Sequence, residues 1–246
     1  MTKLIIANWK MNLSLKDSFA FCINLSALQY DNTLIIAPPS PYLAYLSDKF
    51  KSLTFCAQNV SRYEGQGSYT GEYSSLLLKL SNINYAIVGH SDRRNLFNET
   101  NEVIKQKVEK CLQVDITPII CIGEDLEARQ NKHYQEFLLT QLTETLPNNY
   151  KFLNKNKNII SAYEPIWSIG TGNLPIKEEL IEIFMIINSF LQESQVANNF
   201  RLVYGGSVNL ANTKNILNIP YIDGIMVGRA SLNQQILFKM LNHRCL

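Results

Sequence analysis

Three side chains able to move or balance charge stand just past short apolar runs: Lys10 after Leu-Ile-Ile-Ala-Asn, His90 after Tyr-Ala-Ile-Val-Gly, and Glu164 after Ile-Ile-Ser-Ala-Tyr. A carboxylate placed after an apolar run and directly before Pro165 suits a base that takes a proton from the carbon next to a carbonyl, a task that needs partial desolvation and fixed geometry. Lys10 would balance a phosphate and the negative charge that builds up as that proton leaves. Asn8, two residues earlier on the same strand face, would share the contact. Each residue also has a plain reading. Glu164 alone is a surface carboxylate, His90 a buried histidine bonded to a backbone amide, Lys10 a solvated cation, and Asn8 an amide that bonds backbone. Convergence favours chemistry, because the lysine, the histidine and the glutamate come from three distant stretches and each ends a candidate strand. His133 and His243 have no such placement and read as structural. Trp9 points away from its two neighbours in strand alternation and reads as packing.

The elements that must position these groups are short β-branched or apolar runs separated by stretches of helical periodicity. Eight runs qualify: Leu4 to Asn8, Thr33 to Ala37, Leu53 to Ala57, Tyr85 to Val88, Ile116 to Ile122, Ile159 to Tyr163, Arg201 to Tyr204 and Gly224 to Val227. Helices are expected over Leu15 to Leu28, entered through a Ser14-Leu15-Lys16-Asp17 capping box, and over Asn101 to Gln113, Glu127 to Leu146, Lys177 to Gln192 and Leu210 to Leu217. Runs such as Leu-Ile-Ile-Ala and Gly-Ile-Met-Val are apolar at every position, which indicates strands buried on both faces beneath helices. Eight β-then-α units in 246 residues fit a single (β/α)8 barrel over residues 1–246, an α/β fold. An open doubly wound sheet is the competitor, and no G-x-G-x-x-G follows the first run to support it. In a barrel the loops after the strands form the active face, and a phosphate sits after strands seven and eight. Those strands end at Gly205-Gly206-Ser207 and Gly228-Arg229. The polar segment Asn148 to Asn158 reads as a surface connection into the sixth strand. The long Gly-containing segment Gln58 to Glu72 reads as a projecting arm that reaches a partner.

With 46% apolar and 18% charged residues and a net charge of +2, the chain has the composition of an ordinary globular protein. Twenty-three basic residues against 21 acidic ones leave no surface for neutralising a nucleic-acid backbone. No apolar run approaches the roughly 18 residues of a membrane span, so the expected setting is cytoplasmic. Five cysteines without C-x-x-C spacing, and three histidines without ligand spacing to them, argue against disulfides and a metal site.

Taken together, Asn8-Trp9-Lys10-Met11-Asn12, Gly89-His90-Ser91, Tyr163-Glu164-Pro165-Ile166-Trp167, Gly170-Thr171-Gly172 and Tyr204-Gly205-Gly206-Ser207-Val208 resemble the signature set of the triosephosphate isomerase family, in order along the whole chain. The resemblance implies a TIM barrel that interconverts dihydroxyacetone phosphate and D-glyceraldehyde 3-phosphate through an enediol, a step of glycolysis and gluconeogenesis, with no metal and no cofactor. It implies Glu164 as the proton-shuttling base, His90 as a neutral imidazole serving the oxygens, and Lys10 and Asn8 as substrate contacts. The phosphate falls to Gly170, Ser207, Gly228 and Arg229, beneath a lid running from Glu164 to Pro175. These roles come with the family and are not read from this chain's spacing. The Gln58 to Glu72 loop matches the family's third loop, so a homodimer follows, with Thr70 at the tip reaching the neighbouring site. Cys121-Ile122-Gly123-Glu124 matches as well, with Cys121 as packing.

Four positions depart from the family's pattern. Asp92 is one methylene shorter than the usual glutamate and is expected to be a buried ion-pair partner. Arg229 replaces the second glycine of a Gly-Gly, keeping the backbone N–H while adding a cation near the phosphate loop. Met226 replaces a leucine beside the base. Pro175 either begins the next helix or stiffens the lid. Two rivals remain: another phosphosugar barrel with different strand-end acids, and a decayed barrel kept as a binding or structural protein. Intact Lys10, His90 and Glu164 weigh against the second.

Overall fold

The computed structural model describes residues 2–147, 158–194 and 199–243. The polar connection expected at 148–158 lies outside the described residues except for Asn158, and so does Cys245.

Eight strands alternate with helices: β1 (Leu4–Asn8), β2 (Thr33–Ala37), β3 (Cys56–Ala57), β4 (Tyr85–Val88), β5 (Thr117–Ile122), β6 (Asn158–Tyr163), β7 (Asn199–Tyr204) and β8 (Gly224–Val227). Every pairing is parallel, in the order β2-β1-β8-β7-β6-β5-β4-β3. A single bridge between Ile36 and Phe55 joins the two ends of that order into a barrel. The (β/α)8 expectation from sequence is met.

Strand alternation explains the unbroken apolar runs. Leu4, Ile6, Ile35, Ala37, Cys56, Ile87, Ile119, Cys121, Ile160, Ala162, Val203 and Met226 fill the barrel interior. Their neighbours Ile5, Ala7, Ile36, Val88, Ile120 and Ile225 face outward into a second layer under the helices. Trp9 belongs to that outer layer, fully buried with its ring 5.0 Å from Phe21. Asn8 continues the inward series of Leu4 and Ile6, so a polar side chain appears where the strand leaves the barrel.

The covering helices are α1 (Leu15–Ser26), α2 (Ser40–Lys49), α3 (Ser75–Leu80), α4 (Ser91–Phe97), α5 (Asn101–Gln113), α6 (Leu126–Gln130), α7 (Tyr134–Thr145), α8 (Lys177–Ser194), α9 (Leu210–Leu217) and α10 (Gln234–Leu241). The single helix expected over 127–146 is two, α6 and α7, separated where Lys132 takes φ +59°, a left-handed conformation that no continuous helix contains. The capping box expected at α1 is half formed. Ser14 Oγ accepts from the Asp17 N–H at 3.1 Å, but the Asp17 carboxylate turns to the Ser14 hydroxyl. The third strand is shorter than its apolar run, since only Cys56 and Ala57 pair with β4. The four described cysteines, Cys22, Cys56, Cys111 and Cys121, are free and buried.

Candidate active site

The ends of β1, β4, β6, β7 and β8 open into one cleft of about 660 Å³, and all eight expected site residues line it: Asn8, Lys10, His90, Glu164, Gly170, Ser207, Gly228 and Arg229. Its floor is built by close backbone approach. A Cβ on Gly123 would lie 1.8 Å from the Glu164 carbonyl oxygen, and one on Gly205 would lie 2.9 Å from Glu164 Cγ and 3.3 Å from Met226 Cε. Glycine at both positions therefore sets where the glutamate can stand. Met226, the departure beside the base, fills the space next to it.

Glu164 is 2% exposed. Its Oε1 lies 3.3 Å from His90 Nε2, and its Oε2 accepts the Ser91 N–H at 3.3 Å. That N–H belongs to the first turn of α4, where unpaired amides favour an anion. The carboxylate thus rests at a helix N-terminus beside the imidazole, at the open end of the barrel.

His90 precedes α4, and its Nδ1 accepts the Asp92 N–H at 3.0 Å. A ring nitrogen that accepts a hydrogen bond carries no proton, so the imidazole is neutral with its proton on Nε2, the atom that faces the cleft. Gly89, in front of it, has φ +69° and makes the turn that aims the ring.

Lys10 stands at φ +51°, left-handed for a residue with a side chain, at a cost of about 1–3 kcal/mol. Neighbours hold it there. Its N–H donates to Asn8 Oδ1 at 3.1 Å, and its carbonyl accepts from Gln58 Nε2 at 2.8 Å, which also donates to the Ala37 carbonyl. Lys10 Nζ pairs with Asp92 Oδ2 at 3.0 Å. This corrects the expectation of a buried ion pair. The aspartate side chain is 47% exposed and the lysine 35%, because both groups reach the rim instead of the core.

The segment after Glu164 folds over the opposite side. Gly170 and Gly172 take φ +72° and +83°, and both line the cleft. Ser207 Oγ donates to the Ser168 carbonyl at 2.7 Å and accepts the Gly172 N–H at 3.3 Å, so the lid rests on the β7 loop. At the root of the lid, Glu124 Oε1 accepts from Trp167 Nε1 at 2.9 Å and from the Tyr163 hydroxyl at 3.0 Å. Burial raises the Glu124 carboxyl above the usual carboxylate range, an effect the two donors partly offset. Burial and the neighbouring Glu124 push the Tyr163 hydroxyl far up, which keeps it a donor. Pro175 lies two residues ahead of α8, so it ends the lid and does not begin the helix.

Sequence reasoning missed the supporting roles of Gln58, Glu124 and the Ser91 amide. Glu124 was visible in Cys-Ile-Gly-Glu, but its partner Trp167 lies 43 residues on and only the barrel joins them. Arg229 has no positive φ among the described residues and opens a short 3-10 turn, Arg229–Leu232, so replacing a glycine there brings no left-handed strain.

A sequence-family model described as triosephosphate isomerase matches residues 3–244. The chain belongs to the triosephosphate isomerase family. A protein named triosephosphate isomerase from Orientia tsutsugamushi (strain Ikeda) is 40% identical over 241 residues, covering 94% of each chain. One of the same name from Francisella tularensis subsp. mediasiatica (strain FSC147) is 37% identical over 238 residues, covering 94% of this chain and 93% of that one. The match to a triosephosphate isomerase therefore runs through all five strand ends that build the cleft.

Proposed function

We infer that this chain is a triosephosphate isomerase, interconverting dihydroxyacetone phosphate and D-glyceraldehyde 3-phosphate. The observation that carries the reading is the pairing of the buried Glu164 carboxylate with the neutral His90 Nε2–H, 3.3 Å apart on one cleft with Lys10. Glu164 takes a proton from the carbon beside the substrate carbonyl while His90 Nε2–H supplies one to the carbonyl oxygen, giving an enediol. The imidazole then recovers a proton from the other oxygen, and Glu164 returns its proton to the neighbouring carbon, so nothing is gained or lost. Lys10 and Asn8 offset charge on the oxygens, while the amides of Gly170, Ser207, Gly228 and Arg229 bind the phosphate. The lid keeps water from the enediol, which would otherwise lose its phosphate.

The chain works as one catalytic domain over residues 1–246 in the cytoplasm, consistent with the lack, among described residues, of any helix long and apolar enough to cross a membrane. The arm at 58–72 and the exposed apolar side chains Met11, Tyr69, Leu96 and Phe97 support a homodimer, in which such groups are covered. The arm is already ordered for this. The rings of Tyr63 and Tyr69 stack at 4.0 Å, and the Ser61 N–H closes the loop onto the Tyr73 carbonyl. The decayed-barrel alternative gains nothing from a site in which base, imidazole and lysine are all in place.

A coupled assay of the purified protein with D-glyceraldehyde 3-phosphate tests the reading. The parent is expected to turn over, and Glu164→Ala to lose about 10²- to 10⁴-fold in kcat, the usual worth of a general base. A folded but inactive parent would overturn the assignment.

A further inference from the structure

We propose that the Arg229 side chain is a specificity-determining contact for the phosphate dianion, adding a charge to a grip that is otherwise made of backbone amides. The proposal rests on the isomerase reading above and deepens it.

The first observation is that this guanidinium is free. Arg229 is exposed and lines the cleft, with no hydrogen-bond, ion-pair or ring partner among the described residues. The other five described arginines are all engaged: Arg62 with Tyr63, Arg93 with Glu99, Arg94 with Gly89 and Asn101, Arg129 with Glu179, and Arg201 with the Thr2 carbonyl. Five fork-shaped donors left unpaired beside a concave site suit a phosphate, which they can grip with two parallel bonds.

The second observation is the charge of the cleft. The Lys10 charge is already met by Asp92 at 3.0 Å, and Glu164 adds a negative charge that no cation pairs directly. Counting Asp92, which stands outside the cleft lining but pairs with Lys10 at the rim, these groups sum to one negative charge without Arg229. With it they cancel. A cation at the mouth of a concave site raises local anion concentration, an effect that salt screens.

The third observation is placement. Arg229 directly follows Gly228, where an added Cβ would sit 3.9 Å from Lys10 Cε, so the phosphate loop adjoins the lysine that faces the substrate. Its backbone has no positive φ, so a side chain at this position brings no left-handed strain.

Three variants separate charge from bulk. R229G removes the side chain but keeps the backbone N–H, R229Q keeps a polar chain without the charge, and R229K keeps the charge. Steady-state kinetics with D-glyceraldehyde 3-phosphate are run across ionic strength, and inorganic phosphate binding is measured by calorimetry. Both R229G and R229Q are expected to raise KM and the phosphate Kd about threefold to tenfold, to lower kcat by a smaller factor, and to flatten the salt dependence of kcat/KM. R229K is expected to recover most of each loss. Parent-like KM and salt dependence in R229Q overturn the proposal, whether R229G is impaired, which marks loop bracing, or also matches the parent. An inactive parent would defeat the isomerase reading alone, because the phosphate titration still decides the role of Arg229.

Discussion

At the scale of single residues, the site depends as much on absent side chains as on present ones. Glu164 stands where it does because Gly205 leaves room beneath its Cγ. A Gly205→Ala variant places a methyl 2.9 Å from that carbon, against a chain hemmed in by Met226 and by the Gly123 backbone contact. We expect it to fold, to lose about 10² in kcat through displacement of the base, and to bind inorganic phosphate with little change. Parent-like kcat would show that the carboxylate tolerates the shift. Lys10, His90 and Glu164 were legible in sequence because catalytic groups in a parallel barrel sit one or two residues past apolar runs, which are easily read. The conformation of Lys10 was not. Nothing in Asn-Trp-Lys-Met announces φ +51°, which is imposed by Asn8 on one side and by Gln58, 48 residues away, on the other.

At the scale of elements, the lid is tied to the barrel by one buried carboxylate. Glu124 receives both Trp167 and Tyr163, one at the lid's root and one at the end of β6. Its folded-state pKa is raised, chiefly by burial, so between the ordinary carboxylate value and the raised one the native state holds a proton that the unfolded chain has released. Stability from this group therefore falls as pH rises through that window. Melting temperatures measured from pH 4 to 7 should show the decline in the parent, and Glu124→Gln, which keeps an acceptor but cannot ionise, should lessen it. Equal slopes would remove Glu124 as the cause. The strands were legible as elements because double-sided burial writes itself as continuous apolar sequence. Helix continuity over 127–146 was misread, since periodicity survives a left-handed residue at Lys132 that breaks the helix. Helix α2 was not picked out, for its sequence Ser-Pro-Tyr-Leu-Ala-Tyr-Leu-Ser-Asp-Lys buries only Leu43, Leu46 and Ser47 and carries a weak apolar stripe.

At the scale of the whole molecule, the barrel is not equally stitched all round. β6 pairs with β7 along six residues, whereas β2 is joined to the chain just ahead of β3 by the one bridge between Ile36 and Phe55. The arm at 58–72 leaves directly from β3, so whatever grips the arm also steadies this seam. Amide hydrogen exchange should find residues 54–57 and Ile36 opening sooner than β6 and β7 in dilute protein, and slowing as subunits pair at higher concentration. Exchange there that ignores concentration would mean the arm finds no partner. If the dependence is seen, the circumference of each barrel is completed by its neighbour, and dilution becomes a way of unlacing a fold that no denaturant has touched.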